Sequence, residues 1–103
     1  METPNYKSGI ELIADERRRH IDVLGFNPER DDHYLNNELA IAGCCYALDE
    51  TYAKVTAPNG SDAWPLPPDE DKRQHIDHVR KLVIAGAMIA AQIDIELRKD
   101  AGV

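Results

Sequence analysis

Only two cysteines occur in the 103 residues, the neighbours Cys44 and Cys45. Adjacent helical positions point about 100° apart, so the pair is badly placed to bond to itself. A single vicinal pair is no disulfide framework, and a reducing cytosol is the expected compartment. Aromatics are also scarce, with one Trp, one Phe and four Tyr, which leaves the core to Ile, Leu, Val and Ala. The glycines are scattered singly, so they build no phosphate-cradling loop. The longest apolar run, Leu82 to Ala91, has ten residues, about half of what a spanning helix requires. Met1 to Gly9 has no apolar stretch of the kind that begins a secreted chain, so neither a signal peptide nor a membrane partner is expected.

What is present is charge, mostly negative. Nineteen acids against twelve Lys and Arg give a formal net charge of −7, the wrong sign for gripping a nucleic-acid duplex by its phosphates. At 43% hydrophobic and 30% charged the chain fits a folded globule of one domain, spanning 1–103.

The patterning is helical almost throughout, which predicts an all-α domain of three main helices. Ser8-Gly-Ile-Glu11 matches a capping box. Ile10, Ile13, Ala14, Ile21 and Leu24 then fall on one stripe, until Gly25 and Pro28 stop the helix. Residues 26–36 read as an ordered loop, with Asp32, Asn36 or Asn37 available to cap the next helix. That second helix is expected from Asn37 to about Val55, with an inner face of Leu39, Ala42, Gly43, Tyr46 and Ala53, small enough for close helix approach. Ala57 to Glu70 is a proline-rich linker with a turn at Pro58-Asn-Gly60.

The third helix is expected from about Asp69 to Lys99. Its core stripe would be Ile76, Val79, Leu82, Val83, Gly86, Ile89, Ala90, Ile93 and Leu97. Ile84, Ala87, Met88, Ala91 and Ile95 widen that stripe almost around the circumference. A helix apolar on every side must be covered on every side, so the expected partner is a second copy of the chain, a homo-oligomer formed through this helix.

Catalytic signatures are weak. His75, His78 and Asp71 would share one helix side, but zinc needs three or four converging ligands and no established zinc or di-iron spacing occurs. No cofactor is expected. Magnesium-dependent nucleotide pyrophosphatases of the all-α kind use Glu-x-x-Glu and Glu-x-x-Asp, neither of which is present among Glu11, Asp15, Glu16, Asp31, Asp32 and Glu38. Cys44 and Cys45 sit in an apolar stretch, where a thiol is usually inert. A binding site is better supplied. Phe26, Tyr34, Tyr46 and Trp64 can stack on a flat ligand, and Arg17, Arg19 and Arg30 can hold its phosphates. The competing reading makes Arg17–Arg19 a solvated face and Phe26 and Trp64 plugs at the bundle ends.

The string Glu16-Arg17-x-Arg19-x-Ile21, Gly25-Phe26, Asp31-Asp32, Glu38-Leu39-Ala40-x-Ala42, Tyr46, Trp64-Pro65 and Leu82-Val83-x-Ala85-Gly86-Ala87-x-Ile89-x-Ala91-x-Ile93 resembles a family of small phage and prophage proteins. That family usually has Gly-Trp in place of Gly25-Phe26, and often a longer tryptophan-rich linker. The resemblance implies a phage context and the cytosol of a bacterial host. Gly25-Phe26 followed by Arg30-Asp31-Asp32 is also similar to the ryanodine-receptor repeat, which implies a small-molecule or nucleotide-binding module.

Together these expectations give a non-enzymatic binding protein that sequesters a nucleotide-like host defence signal. Phe26, Tyr46 and Trp64 would stack. Arg17, Arg19 and Arg30 would take phosphate, and Asp31 and Asp32 would take ribose hydroxyls or cap a helix. The alternatives are an acidic inhibitor of a host protein and a magnesium-dependent pyrophosphatase.

Overall fold

The computed structural model describes residues 7–49 and 54–101. The chain is all-α, with no strand among these residues. Helix α1 spans Gly9–Asp22, α2 is the single turn Pro28–Asp31, α3 spans Glu38–Ala47 and α4 spans His78–Asp100. A short 3-10 turn at Pro68–Glu70 lies inside the linker.

The expected capping box closes α1: the Glu11 N–H donates to Ser8 Oγ at 3.3 Å, and the Ser8 N–H to Glu11 Oε1 at 3.0 Å. Past its end, Gly25 adopts φ +74°. That left-handed step suits glycine and lets the Phe26 N–H reach the His20 carbonyl at 2.8 Å. Asn27 caps α2, its Oδ1 accepting from the Arg30 N–H at 2.9 Å, with Pro28 at the first helical position. Asp32 ends α2 and caps no helix. Asn37 precedes α3 without a side-chain cap bond. The Pro58–Gly60 turn forms as expected, the Gly60 N–H bonding the Ala57 carbonyl at 2.8 Å.

Two helices are shorter than their patterns predict. The second stops at Ala47, and Val55 is not helical; the expected core residue Ala53 lies outside the described residues. Where it stops, Asp49 is held by Arg73 and Lys81 at 3.4 and 3.2 Å. The third helix begins at His78 and not near Asp69. Asp77 caps it by accepting from the Arg80 N–H at 2.7 Å. Upstream, the backbone N–H of Lys72 is taken by the Tyr46 hydroxyl at 3.1 Å, and His75 stands at φ +72°. Both features are incompatible with a continuing helix. His75, His78 and Asp71 therefore do not share a helix side.

Helices α1, α2 and α3 each pack on α4 and not on one another. Two glycines permit the closest approaches. A β-carbon on Gly43 would stand 3.1 Å from the Ala85 carbonyl oxygen, and one on Gly86 would stand 2.5 Å from Ile13 Cδ1. The core joins Leu39, Ala42 and Tyr46 of α3 to Leu66 and to Ile84, Ala85, Met88, Ala91 and Ile95 of α4. The result is a slab about 48 × 36 × 23 Å.

The expected core stripe of α4 holds only in part. Val83 is buried and Ile76 packs against the core, but Ile84, Ala87, Met88, Ala91 and Ile95 also face inward, whereas Val79, Leu82, Ile89, Ile93 and Leu97 are exposed. The pattern could not separate the two because both stripes are apolar. On α1 the inversion is sharper: its fully buried residues are Glu16 and His20, while Ile10 is 82% exposed. Among the described residues, no helix is long and apolar enough to cross a membrane.

Candidate functional site

The inward turn of α1 is polar because it borders a cleft. His20 Nε2 and Glu16 Oε2 lie 2.6 Å apart, one helical turn from each other. Glu16 also accepts from Arg80 Nη2 at 2.6 Å and from Arg19 Nη1 at 3.1 Å. Burial pushes the His20 imidazole below its ordinary value, against the pull of Glu16. At neutral pH the ring is therefore uncharged, and the hydrogen-bond network puts its proton on Nε2, donating to the carboxylate. The ring meets Phe26 at 5.5 Å between centroids. Over Phe26 lies the Arg30 guanidinium, with Cζ 3.7 Å from the ring centroid, a cation–π stack.

Phe26, His20, Glu70 and Met88 form a wall shared by two cavities. The larger, about 410 Å³, lies between the end of α1, the 69–76 segment and the first turns of α4. Leu24, Phe26, Tyr46 and Ile76 give it apolar surface; Arg19, Lys72 and Arg80 give it positive charge, balanced by Glu16, Asp69 and Glu70. The smaller, about 30 Å³, is bounded by Arg17, Arg30 and Asp31 together with Leu39, Leu66 and Ala91.

Asp31 is 1% exposed. Its Oδ1 accepts from Arg30 Nη1 at 3.3 Å, and Arg30 is anchored in turn by Glu70 at 2.5 Å. Arg17 Nη2 stands 3.7 Å from Asp31 Oδ2, too far to donate, and bonds Asp94 at 3.1 Å instead. Asp31 Oδ2 and Arg17 Nε are both buried without a hydrogen-bond partner among the described residues. Burial raises the Asp31 pKa, and the two guanidiniums oppose the rise.

Of the residues singled out in the sequence, Phe26, Arg17, Arg30 and Asp31 meet at the smaller cavity, and Phe26, Arg19 and Tyr46 meet at the larger. Trp64 and Asp32 border neither cavity. Trp64 packs edge-on against Tyr46 at 5.6 Å and under Arg73, its indole N–H donating to the Pro67 carbonyl at 3.3 Å. Asp32 is exposed and accepts from Arg98 at 2.9 and 2.7 Å. Arg18 does lie on a solvated face, bonded to Asp15 at 2.6 Å.

His20, Glu70, Lys72 and Arg80 complete the site without having been singled out, and Glu16 was named only among the carboxylates and in the resemblance. The four-residue spacing of Glu16 and His20 was the available signal, since it puts two side chains on one helix face.

A separate charged cluster fixes the linker. Arg73, 6% exposed, donates to Asp71 at 2.7 and 2.8 Å, to Asp62 at 2.9 Å and to Asp49 at 3.4 Å. It holds the Asp62 and Asp71 carboxyls below the usual carboxylate range. Cys45 is buried, its thiol pushed up by that burial, and Cys44 is exposed; neither is in a disulfide. Among the described residues, no group of His, Cys, Asp and Glu converges as metal ligands would. Comparison with protein-family models, curated proteins and solved structures finds no match to this chain.

Proposed function

We propose that this chain is a non-enzymatic phage binding protein that takes a nucleotide-like ligand in the cleft of about 410 Å³. The observation that carries this reading is the pairing, in one cavity, of the aromatic rings of Phe26 and Tyr46 with the cations Arg19, Lys72 and Arg80, beside the acids Glu16, Asp69 and Glu70. The volume falls within the ~300–1,000 Å³ usual for small-molecule sites. Phe26 is stiffened for stacking by Arg30 on one side and His20 on another. Arg19, Lys72 and Arg80 line the same space and suit a phosphate. The phage context implied by the resemblance favours a nucleotide signal of the host's defence.

Thermal melting with cyclic mononucleotides, cyclic dinucleotides and nucleoside triphosphates tests this reading. A ligand at a hundred times its Kd adds about 2.7 kcal/mol, which raises the Tm of a domain this size by roughly ten degrees or more. Arg19→Met should weaken binding at least tenfold. No shift for any nucleotide ends the proposal, and magnesium-dependent release of pyrophosphate would replace it with hydrolysis.

The outer stripe of α4 favours a second copy of this chain as partner. Val79, Leu82, Gly86, Ile89 and Ile93 recur at alternating spacings of three and four, the spacing of a coiled-coil seam. All but Gly86 are exposed in the single chain, and a two-fold axis would lay the seam against itself.

A further inference from the structure

Asp31 is the most enclosed charged residue described, and one of its oxygens has no donor. Leaving such an oxygen unsatisfied forfeits the hydrogen bonds it makes to water when unfolded, so a buried orphan calls for an explanation. Arg17 Nε is a second orphan, a donor, and both residues line the same cavity of about 30 Å³. That volume admits a group the size of one or two waters. Leu39, Leu66, Met88 and Ala91 give the remaining walls apolar surface, and the polar lining groups His20, Arg30 and Glu70 are already paired, so a polar occupant is directed to the open acceptor and the open donor.

Charge narrows the choice. Asp31 already faces Arg30 at 3.3 Å and Arg17 at 3.7 Å. An added cation would meet two guanidiniums, and an added anion would meet the carboxylate. The fitting group is neutral, donates one hydrogen bond and accepts another, which describes a hydroxyl.

We propose that the Asp31–Arg17 cavity is a hydroxyl subsite for the ligand of the adjoining cleft. The hydroxyl donates to Asp31 Oδ2 and accepts from Arg17 Nε–H. This assignment rests on the cleft being a nucleotide site. It adds that the sugar is read as ribose, across the wall that Phe26 and Glu70 contribute to both cavities.

The test is calorimetric titration of the four common nucleoside 5′-monophosphates and their 2′,3′-dideoxy counterparts into the native chain and into Asp31→Asn. The native chain should bind at least one ribonucleotide, and bind its dideoxy counterpart at least tenfold more weakly. Asp31→Asn should lose that ratio, a readout that a purely structural role for Asp31 would leave in place. Should Asp31→Asn not fold, the ratio in the native chain still decides. Equal binding of both sugars overturns the hydroxyl subsite and leaves the cleft reading standing. A preference that survives in folded Asp31→Asn puts the hydroxyl elsewhere and also overturns it. Binding of none of these monophosphates overturns the hydroxyl subsite, and the cleft reading then stands or falls on the wider nucleotide panel.

Discussion

The carboxylate of Glu16 and the imidazole of His20 meet at 2.6 Å on the inward face of α1, with each residue no more than 4% exposed. An amphipathic helix usually turns its apolar stripe to the core. Here it turns a charge-linked pair inward and leaves Ile10 and Val23 in solvent. Arg80 and Arg19 compensate the buried carboxylate, as a charge taken out of water requires.

Stability should therefore fall with acidification. Burial lowers the His20 pKa from its ordinary 6.5, so between the depressed value and 6.5 the unfolded chain binds more protons than the folded one. In that window stability rises with pH and is lost as pH falls. His20→Gln, whose amide can still donate to Glu16, should flatten the dependence of Tm on pH below 6.5. An unchanged slope would show that His20 does not carry it.

Arg73 should be among the costliest single residues to remove. Its side chain is 7% exposed and faces Asp49, Asp62 and Asp71. Arg73→Ala leaves three carboxylates without their shared cation, and breaking a buried pair from one side costs about 3–5 kcal/mol. Arg73→Lys should recover little, because an ammonium lacks the planar fork that spans two carboxylates. Urea unfolding gives the loss, and amide exchange should show it concentrated between residues 56 and 72.

Sedimentation should find the native chain as a dimer at micromolar concentration. Ile93→Lys on the exposed seam should yield a single-chain particle with little change in Tm, since that side chain contributes little to the isolated fold. Salt should strengthen the dimer, because each copy carries a net charge of −7 that screening relieves. A single-chain mass for the native protein at low and high salt alike would remove the second copy from the reading.

Helix content, the Ser8–Glu11 box, the Gly25 stop and the Pro58–Gly60 turn were legible because local chemistry decides them. So was the inner face of α3, from Leu39 to Tyr46. The start of α4 was not, since the bond from Lys72 to the Tyr46 hydroxyl joins residues 26 apart in sequence and overrides a helical pattern. Nor was the orientation of α4, where two apolar stripes compete and only the placement of α1 and α3 selects one. Half of the site was visible as Arg17, Phe26, Arg30 and Asp31. The other half depends on Glu70, Lys72 and Arg80, brought to α1 by the path of the linker.

Because every other helix packs on α4, the order of synthesis has a mechanical meaning. As the chain leaves the ribosome, α1, α2 and α3 emerge before the helix that each packs against, and short helices are marginal in water by themselves. Consolidation has to wait for the segment beyond His78, so folding comes in one late, concerted event and not in stages. Until then the growing chain exposes Leu39, Tyr46 and Leu66 together, which makes that interval the one in which it is most open to chaperones and proteases.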